Sequence, residues 1–212
     1  IDTYKAFGFG DSTGLGLTGE SAGLMPQRRY WGQLDRATFA FGYGLMVTPL
    51  QLAHVYATIG SYGIERPLSI TRIDPPVMGT RVMPEQIVHE VEHMMESVAL
   101  PGGGGTKAAV RDYRVAVKTG TAKKIGPDGK YIDKYVAYTA GVAPASNPKF
   151  ALVVVMNDPS NGSYYGGAVS APVFSQIMGD VLRLENVMPD GMPQGSENLI
   201  VMHHDGVLPP AL

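Results

Sequence analysis

The sequence predicts an α+β fold, an antiparallel sheet flanked by helices. Three observations carry this. Segments rich in Val, Tyr, Phe and Thr recur at 113–121, 135–142 and 150–157. Their connections are turn-rich and too short for crossover helices, so the strands should pair antiparallel. Amphipathic helical patterns lie before the strands, at 48–60 and 84–100, and after them, at 170–186.

Composition allows such a fold in one unit. The chain has 212 residues, 44% of them hydrophobic and 17% charged, enough apolar content for a core. A formal net charge of −2 offers no footprint for nucleic acid or an anionic membrane surface. The absence of cysteine excludes disulfides and thiolate metal sites. The longest apolar run, Phe150 to Met156, is too short to span a bilayer. The start at Ile1, without a basic and apolar leader, reads as a piece excised from a longer polypeptide.

Along the chain, residues 1–30 are glycine-rich and read as loops with short turns. The helix at 48–60 has Thr48 and Gln51 at capping-box spacing, Pro49 in its first turn and Gly60 at its end. Leu52, Val55, Tyr56 and Ile59 form its apolar stripe. Leu68 to Ile73 reads as a short extended piece. The helix at 84–100 gathers Ile87, Val91, Met94, Met95 and Val98 on one face, and Gly102–Gly105 follows as a flexible hinge. "GPDGK" at 126–130 and "PASNPK" at 144–149 separate the three strands. The closing helix starts at Ser170 as cap, with Val173, Ile177, Val181 and Leu184 as its stripe. The tail 187–212 lacks a period, although Leu199–Met202 has the character to join a sheet edge. The expected division is therefore residues 1–186 as one structural unit and 187–212 as a tail.

Four short motifs compete for function. His89-Glu90-Val91-Glu92-His93 matches the H-E-x-x-H zinc-protease pattern. At roughly 100° per residue the apolar stripe lies nearly opposite His89 and His93, which puts them toward water, and no third ligand is suitably spaced. Gly14 to Gly19 matches G-x-G-x-x-G but lacks the strand before it and the helix after it. Ser146-Asn147-Pro148-Lys149 matches S-x-x-K, yet Pro148 and Pro144 dictate a turn, where serine and lysine cannot share a helix face. Lys118-Thr119-Gly120-Thr121 closes a strand. Alternation sends Lys118 to the face opposite Val115 and Val117, and Gly120 leaves room for another backbone. The plain alternative is an edge strand whose charges discourage pairing.

K-T-G belongs to the signature of penicillin-binding proteins and class A β-lactamases. Beyond it, the chain resembles division-type class B penicillin-binding proteins, the FtsI family. The likeness rests on "GYGLMVTPLQLAHVYATIGSYG" at 42–63, "GGGGTKAAV" at 102–110 and "YRVAVKTGTAKK" at 113–124. It continues in "YVAYTAGVAPASNPKFALVVVMNDP" at 135–159 and "YYGGAVSAPVFSQIM" at 164–178.

The resemblance implies a layered α/β/α, serine transpeptidase/β-lactamase-like fold, of which this chain is the C-terminal part. It implies a periplasmic D,D-transpeptidase that cross-links septal peptidoglycan during cell division, with no cofactor. The full-length protein would be anchored in the inner membrane by an N-terminal helix absent here. A serine would attack the penultimate D-Ala carbonyl of a stem peptide and expel the terminal D-Ala, and β-lactams would mimic that donor. Lys118 would be the catalytic lysine of the third motif. Thr119, Gly120 and Thr121 would bind the donor or β-lactam, with the Thr121 N–H as an oxyanion donor. Tyr135, Tyr164 and Tyr165 would form an aromatic wall beside Gly166 and Gly167, where sheet packing is the plain alternative. Partners would be the D-Ala-D-Ala stem peptide, β-lactams, the septal glycosyltransferase and other divisome proteins, and the missing N-terminal half of the domain.

The S-x-x-K nucleophile and the S-x-N motif are not found upstream of Lys118, and Ser196-Glu197-Asn198 stands in the wrong order. The chain is therefore expected to be inactive alone. The rival readings are an interaction module that kept the fold without the chemistry and, more remotely, the zinc protease.

Overall fold

The computed structural model describes residues 1–160 and 162–191. Its centre is an antiparallel sheet of β3 (Ala116–Ile125), β4 (Tyr131–Ala143) and β5 (Phe150–Asn157), in that order. The register pairs Lys118 with Ala140, Gly120 with Tyr138 and Thr121 with Ala137, and runs without a shift until Lys123. The third strand has the expected bounds, whereas the first starts at Ala116 rather than 113, and the first two both run on as far as the 126–130 turn. There the Gly126 amide donates to the Lys130 carbonyl at 2.7 Å, and Gly129 takes a positive φ of 76°.

Helices cover both faces, which gives the expected α/β/α layering. On one face lies α6 (Ala171–Leu184), preceded by the single turn α5 (Gly166–Val169). Phe174, Met178 and Leu182 of α6 pack with Val115, Val117 and Val154, and none of the three is more than 1% exposed. Each such side chain contributes about 1.5–3 kcal/mol by leaving water. The expected stripe at Val173, Ile177, Val181 and Leu184 is thus off by one position, and Leu184 is 77% exposed. Two apolar stripes compete on this helix, and the sheet accepts the one with the larger side chains. Ser170 does not cap it either. Its hydroxyl donates to the Gly166 carbonyl instead.

The other face carries α3 (Pro49–Gly60) and α4 (Glu85–Glu96). Met95, Ala116 and Val142 form a second cluster there, with Tyr56 and Val91 against it. The Thr48–Gln51 capping box forms as expected, with bonds of 2.9 and 3.1 Å. Gln51 is itself buried, and its amide donates to the carbonyls of Asp11 and Ala22, so the helix start gathers in the glycine-rich segment. Leu52, Val55, Tyr56 and Ile59 are only half-buried.

On α4 the covered residues are Val88, Glu92 and Met95, while Ile87 and Met94 are exposed. The apolar residues of this helix span a wide arc, and its neighbours cover the half centred on Val88. His89 and His93 nevertheless face outward, as does Glu90.

Other expectations change more. Within 1–47 the chain forms two helices that sequence periodicity does not reveal, α1 (Asp2–Ala6) and α2 (Gln33–Ala40). Leu68–Ile73 is not a strand. The pairing residues flank it, as β1 (Ile64–Glu65) against β2 (Thr80–Arg81). Gly102–Gly105 is not an open hinge, because Gly105 is buried and Gly103 lies against the carbonyls of Ser97 and Val98. Asp190 fixes the end of the described chain by accepting from the amides of Arg114 at 2.7 Å and Ser146 at 3.0 Å. Leu199–Met202 and Ser196–Asn198 lie outside the described residues.

Candidate functional site

Among the described residues β3 is an outer strand, paired only with β4. Its N-terminal half is tied into the core because Val115 and Val117 are buried on one face and Ala116 on the other. From Lys118 onward the strand emerges. Lys118 is exposed, and Thr119, Gly120 and Thr121 are half-buried.

Three lysines leave this strand, and their surroundings differ. Lys123 donates to Asp133 at 3.0 Å, which raises the pKa of the ammonium and lowers that of the carboxyl. Lys124 donates to the Asn157 side chain at 2.9 Å. Among the described residues Lys118 alone of the three has no side-chain partner. Its ammonium donates to the Thr119 carbonyl at 2.6 Å. A cation bonded only to an edge carbonyl is available to an incoming anion.

Alternation divides the stretch between the two faces of the edge. Lys118 and Gly120 leave on the α3/α4 side, Thr119 and Thr121 on the α5/α6 side. On the latter side two glycine turns close in. A Cβ on Gly105 would lie 3.0 Å from the Thr119 methyl. A Cβ on Gly166 would lie 2.5 Å from the Gly120 carbonyl oxygen and 2.6 Å from that of Tyr138. Gly167 meets the Gly104 carbonyl in the same way. The Gly166 amide donates to the Thr121 hydroxyl oxygen at 3.0 Å. That oxygen therefore accepts, and its single proton is free to be donated.

The tyrosines form one stack. Tyr135 and Tyr164 lie 3.9 Å apart at 11°, and Tyr165 follows at 4.5 Å from Tyr164. The Tyr164 hydroxyl bonds that of Tyr165, which raises the Tyr165 pKa. The Lys123 ammonium lies 5.6 Å from the centre of the Tyr135 ring. Because Thr121 pairs with Ala137 and Lys123 with Tyr135, the stack stands two residues along from Thr121 on the same face. The structure thus brings Thr119, Thr121, Gly166, Gly167 and the three tyrosines to one side of the strand, and places Lys118 on the other. A ligand touching all of them must lie along the edge itself.

Sequence patterns alone do not connect the 102–105 turn or the buried Thr139–Ser170 pair to this region. Four consecutive glycines are the one available signal, since such a run marks backbone that turns sharply or passes close to its neighbours. The chemistry on the strand is electrostatic and directional, combining one cation, hydroxyl donors and a strand edge. Among the described residues no group of three or more His, Asp or Glu is placed to hold a metal ion, and no helix is long and apolar enough to cross a membrane.

Comparison with known proteins gives consistent matches. Residues 1–179 match the model of the penicillin binding protein transpeptidase domain. Over 203 residues the chain is 69% identical to peptidoglycan D,D-transpeptidase FtsI of Escherichia coli K12, covering 96% of this chain and 34% of that protein. It is 40% identical over 189 residues to the probable peptidoglycan D,D-transpeptidase PenA of Neisseria gonorrhoeae, covering 89% of this chain and 32% of that one. Among solved structures, the apo transpeptidase domain of Burkholderia pseudomallei penicillin-binding protein 3 superposes with a TM-score of 0.84 at 39% identity, over 91% of this chain and 58% of that chain. The chain spans about a third of the length of these curated relatives.

Proposed function

The chain belongs to the penicillin-binding protein transpeptidase family, and on that premise we propose that it forms one wall of the active site of a septal peptidoglycan D,D-transpeptidase. The observation that carries this reading is the position of Lys118–Thr121 on an outer strand, with the tyrosine stack and two glycine turns closing one side.

In the proposed reaction a serine from outside this chain attacks the penultimate D-Ala carbonyl of a donor stem peptide. The terminal D-Ala leaves, and an amine of a neighbouring stem takes the acyl group. The extended donor pairs along the β3 edge in the manner of an added strand. Lys118 draws in the donor carboxylate and helps move a proton between site hydroxyls. Thr119 and Thr121 bond that carboxylate, and the Thr121 N–H is one of the donors to the oxyanion. The tyrosine stack with Gly166 and Gly167 bounds the ligand. A β-lactam enters as a mimic of the donor and stays as the acyl-enzyme.

We assign the full-length protein to wall synthesis during cell division, in line with its resemblance to the division-type family. We place the full-length protein in the periplasm, held at the inner membrane by a segment outside this chain, with divisome proteins and a septal glycosyltransferase as its partners. Within it, residues 1–186 form the C-terminal part of the transpeptidase domain, followed by the tail 187–212.

Labelling with a fluorescent penicillin tests this. The full-length protein becomes covalently labelled, and the isolated chain does not. Labelling of the isolated chain on one of its own serines would overturn the single-wall reading. A folded full-length protein that never labels would support the interaction module instead.

A further inference from the structure

Thr139 and Ser170 place two hydroxyls in the middle of the molecule, and both residues are fully buried. Thr139 sits on β4 directly opposite Thr119 of the edge strand, with Val154 on its other side. Ser170 stands between α5 and α6. Two small apolar residues would fill the same space, and a buried polar pair is tolerated only when every group is bonded.

Every group here is bonded, and the proton directions follow. The Ser170 hydroxyl has one proton, and it donates to the Gly166 carbonyl at 3.0 Å. In the 2.8 Å bond between Thr139 and Ser170, Thr139 must therefore be the donor. The same Gly166 donates its amide to the Thr121 hydroxyl oxygen at 3.0 Å. Gly166 is thus held through its carbonyl from the core, and it holds Thr121 through its amide. It has little slack, since a Cβ there would lie 2.5 Å from the Gly120 carbonyl oxygen.

We infer that the buried Thr139–Ser170 pair is a positioning device for Thr121, holding the Gly166 turn so that the Thr121 hydroxyl presents its proton outward to an acceptor oxygen of the ligand. This rests on the reading of Thr121 as a ligand-binding residue. Thr139 and Ser170 touch no ligand. They act through Gly166, whose carbonyl accepts from both the Ser170 amide and the Ser170 hydroxyl at 3.0 Å, and the hydroxyl adds a tether to the core that an apolar pair would lack.

The test is a double-mutant cycle on the full-length protein, reading the rate of acylation by a fluorescent penicillin. Ser170→Ala is expected to slow acylation roughly ten- to a hundredfold, the scale of a slight misplacement of a binding group. The double variant Ser170→Ala/Thr139→Val, which leaves no buried hydroxyl unpaired, is expected to fold and to be equally slow. In a Thr121→Val background Ser170→Ala is expected to have no further effect, which a merely structural role would not produce. Equal slowing by Ser170→Ala in both backgrounds overturns the inference. So does a wild-type rate for Ser170→Ala beside a slow Thr121→Val. A Thr121→Val protein that acylates at the wild-type rate overturns the underlying reading of the site, and the inference with it.

Discussion

Tyr138 lays its ring across Gly120, its partner on the neighbouring strand, in the space where any side chain at Gly120 would stand. The ring is half-buried, and that burial raises its phenol pKa. The glycine of the K-T-G stretch thus has a packing reason of its own, independent of any ligand. An edge glycine covered by a cross-strand aromatic also gives back some of the contact that the missing side chain loses.

Gly120→Ala should therefore displace Tyr138. The expected loss is about 1–3 kcal/mol, the usual cost of forcing extra volume into a packed position. Denaturant unfolding of the isolated chain measures it. An unchanged midpoint would mean that the Tyr138 ring swings aside freely, and that packing does not require the glycine.

Glu92 gives a pH prediction. The residue is 4% exposed, one of its carboxyl oxygens has no hydrogen-bond partner among the described residues, and burial raises its pKa from 4.5 to about 6. Around it stand His89, whose Nδ1 lies 3.5 Å away and partly offsets the rise, Glu96, which adds to it, and the Tyr62 phenol, whose own pKa is raised in part by Glu92. The folded state holds this proton more tightly than the unfolded state does. The stabilisation is thus complete below pH 4.5 and is lost as pH rises through about 6. Above pH 6 Glu92→Gln should be more stable than the parent by about 2 kcal/mol, because keeping the buried carboxylate charged costs that much when its pKa rises from 4.5 to about 6. The gap should close toward pH 4.5. Unfolding free energies of both proteins across that range check it, and a pH-independent difference would show that the burial of charge is not the cause.

Asp190 gives a third prediction. One carboxylate accepts from the amides of Arg114 and Ser146, joining the start of β3 to the turn between β4 and β5. Arg114 in turn grips Glu96 of α4 through two bonds of 2.8 and 2.9 Å. Asp190→Ala should cost about 1–3 kcal/mol, because both bonds are charge-assisted. Hydrogen exchange at the Arg114 and Ser146 amides gives the local readout. Unchanged protection there would mean that the carboxylate merely rests on the surface.

Much of this architecture is legible in the amino-acid sequence itself. Local chemistry announces itself, so the Thr48–Gln51 cap, the strand at 150–157 and the turn at 126–130 stand where propensity and turn residues put them. Helix faces are less legible. On α4 and α6 the apolar residues cover more than one stripe, and the choice between Ile87 and Val88, or between Val173 and Phe174, belongs to the neighbouring sheet. The short helix α2 lacks a clear period because Leu34, 77% exposed, does not mark its covered side, and Phe39 does. At the candidate site simple alternation is enough to place Lys118 opposite Val117. Alternation has no means of showing that Gly105 meets Thr119 and Gly166 meets Thr121, since those contacts join stretches separated along the chain. Ser170 misleads for a related reason. A serine before a helix reads as a cap, and only the fold reveals Thr139 beside it.

Lys118 and its strand are proposed as a wall of a penicillin-sensitive transpeptidase site. The most direct measurement is the rate of covalent labelling of the full-length protein by a fluorescent penicillin, with Lys118 intact and with Lys118→Ala. Rapid labelling is expected for the parent, and for the variant a rate lower by about 10²- to 10⁴-fold, the range for loss of a proton-transfer group. Equal labelling rates in two equally well-folded proteins would contradict it.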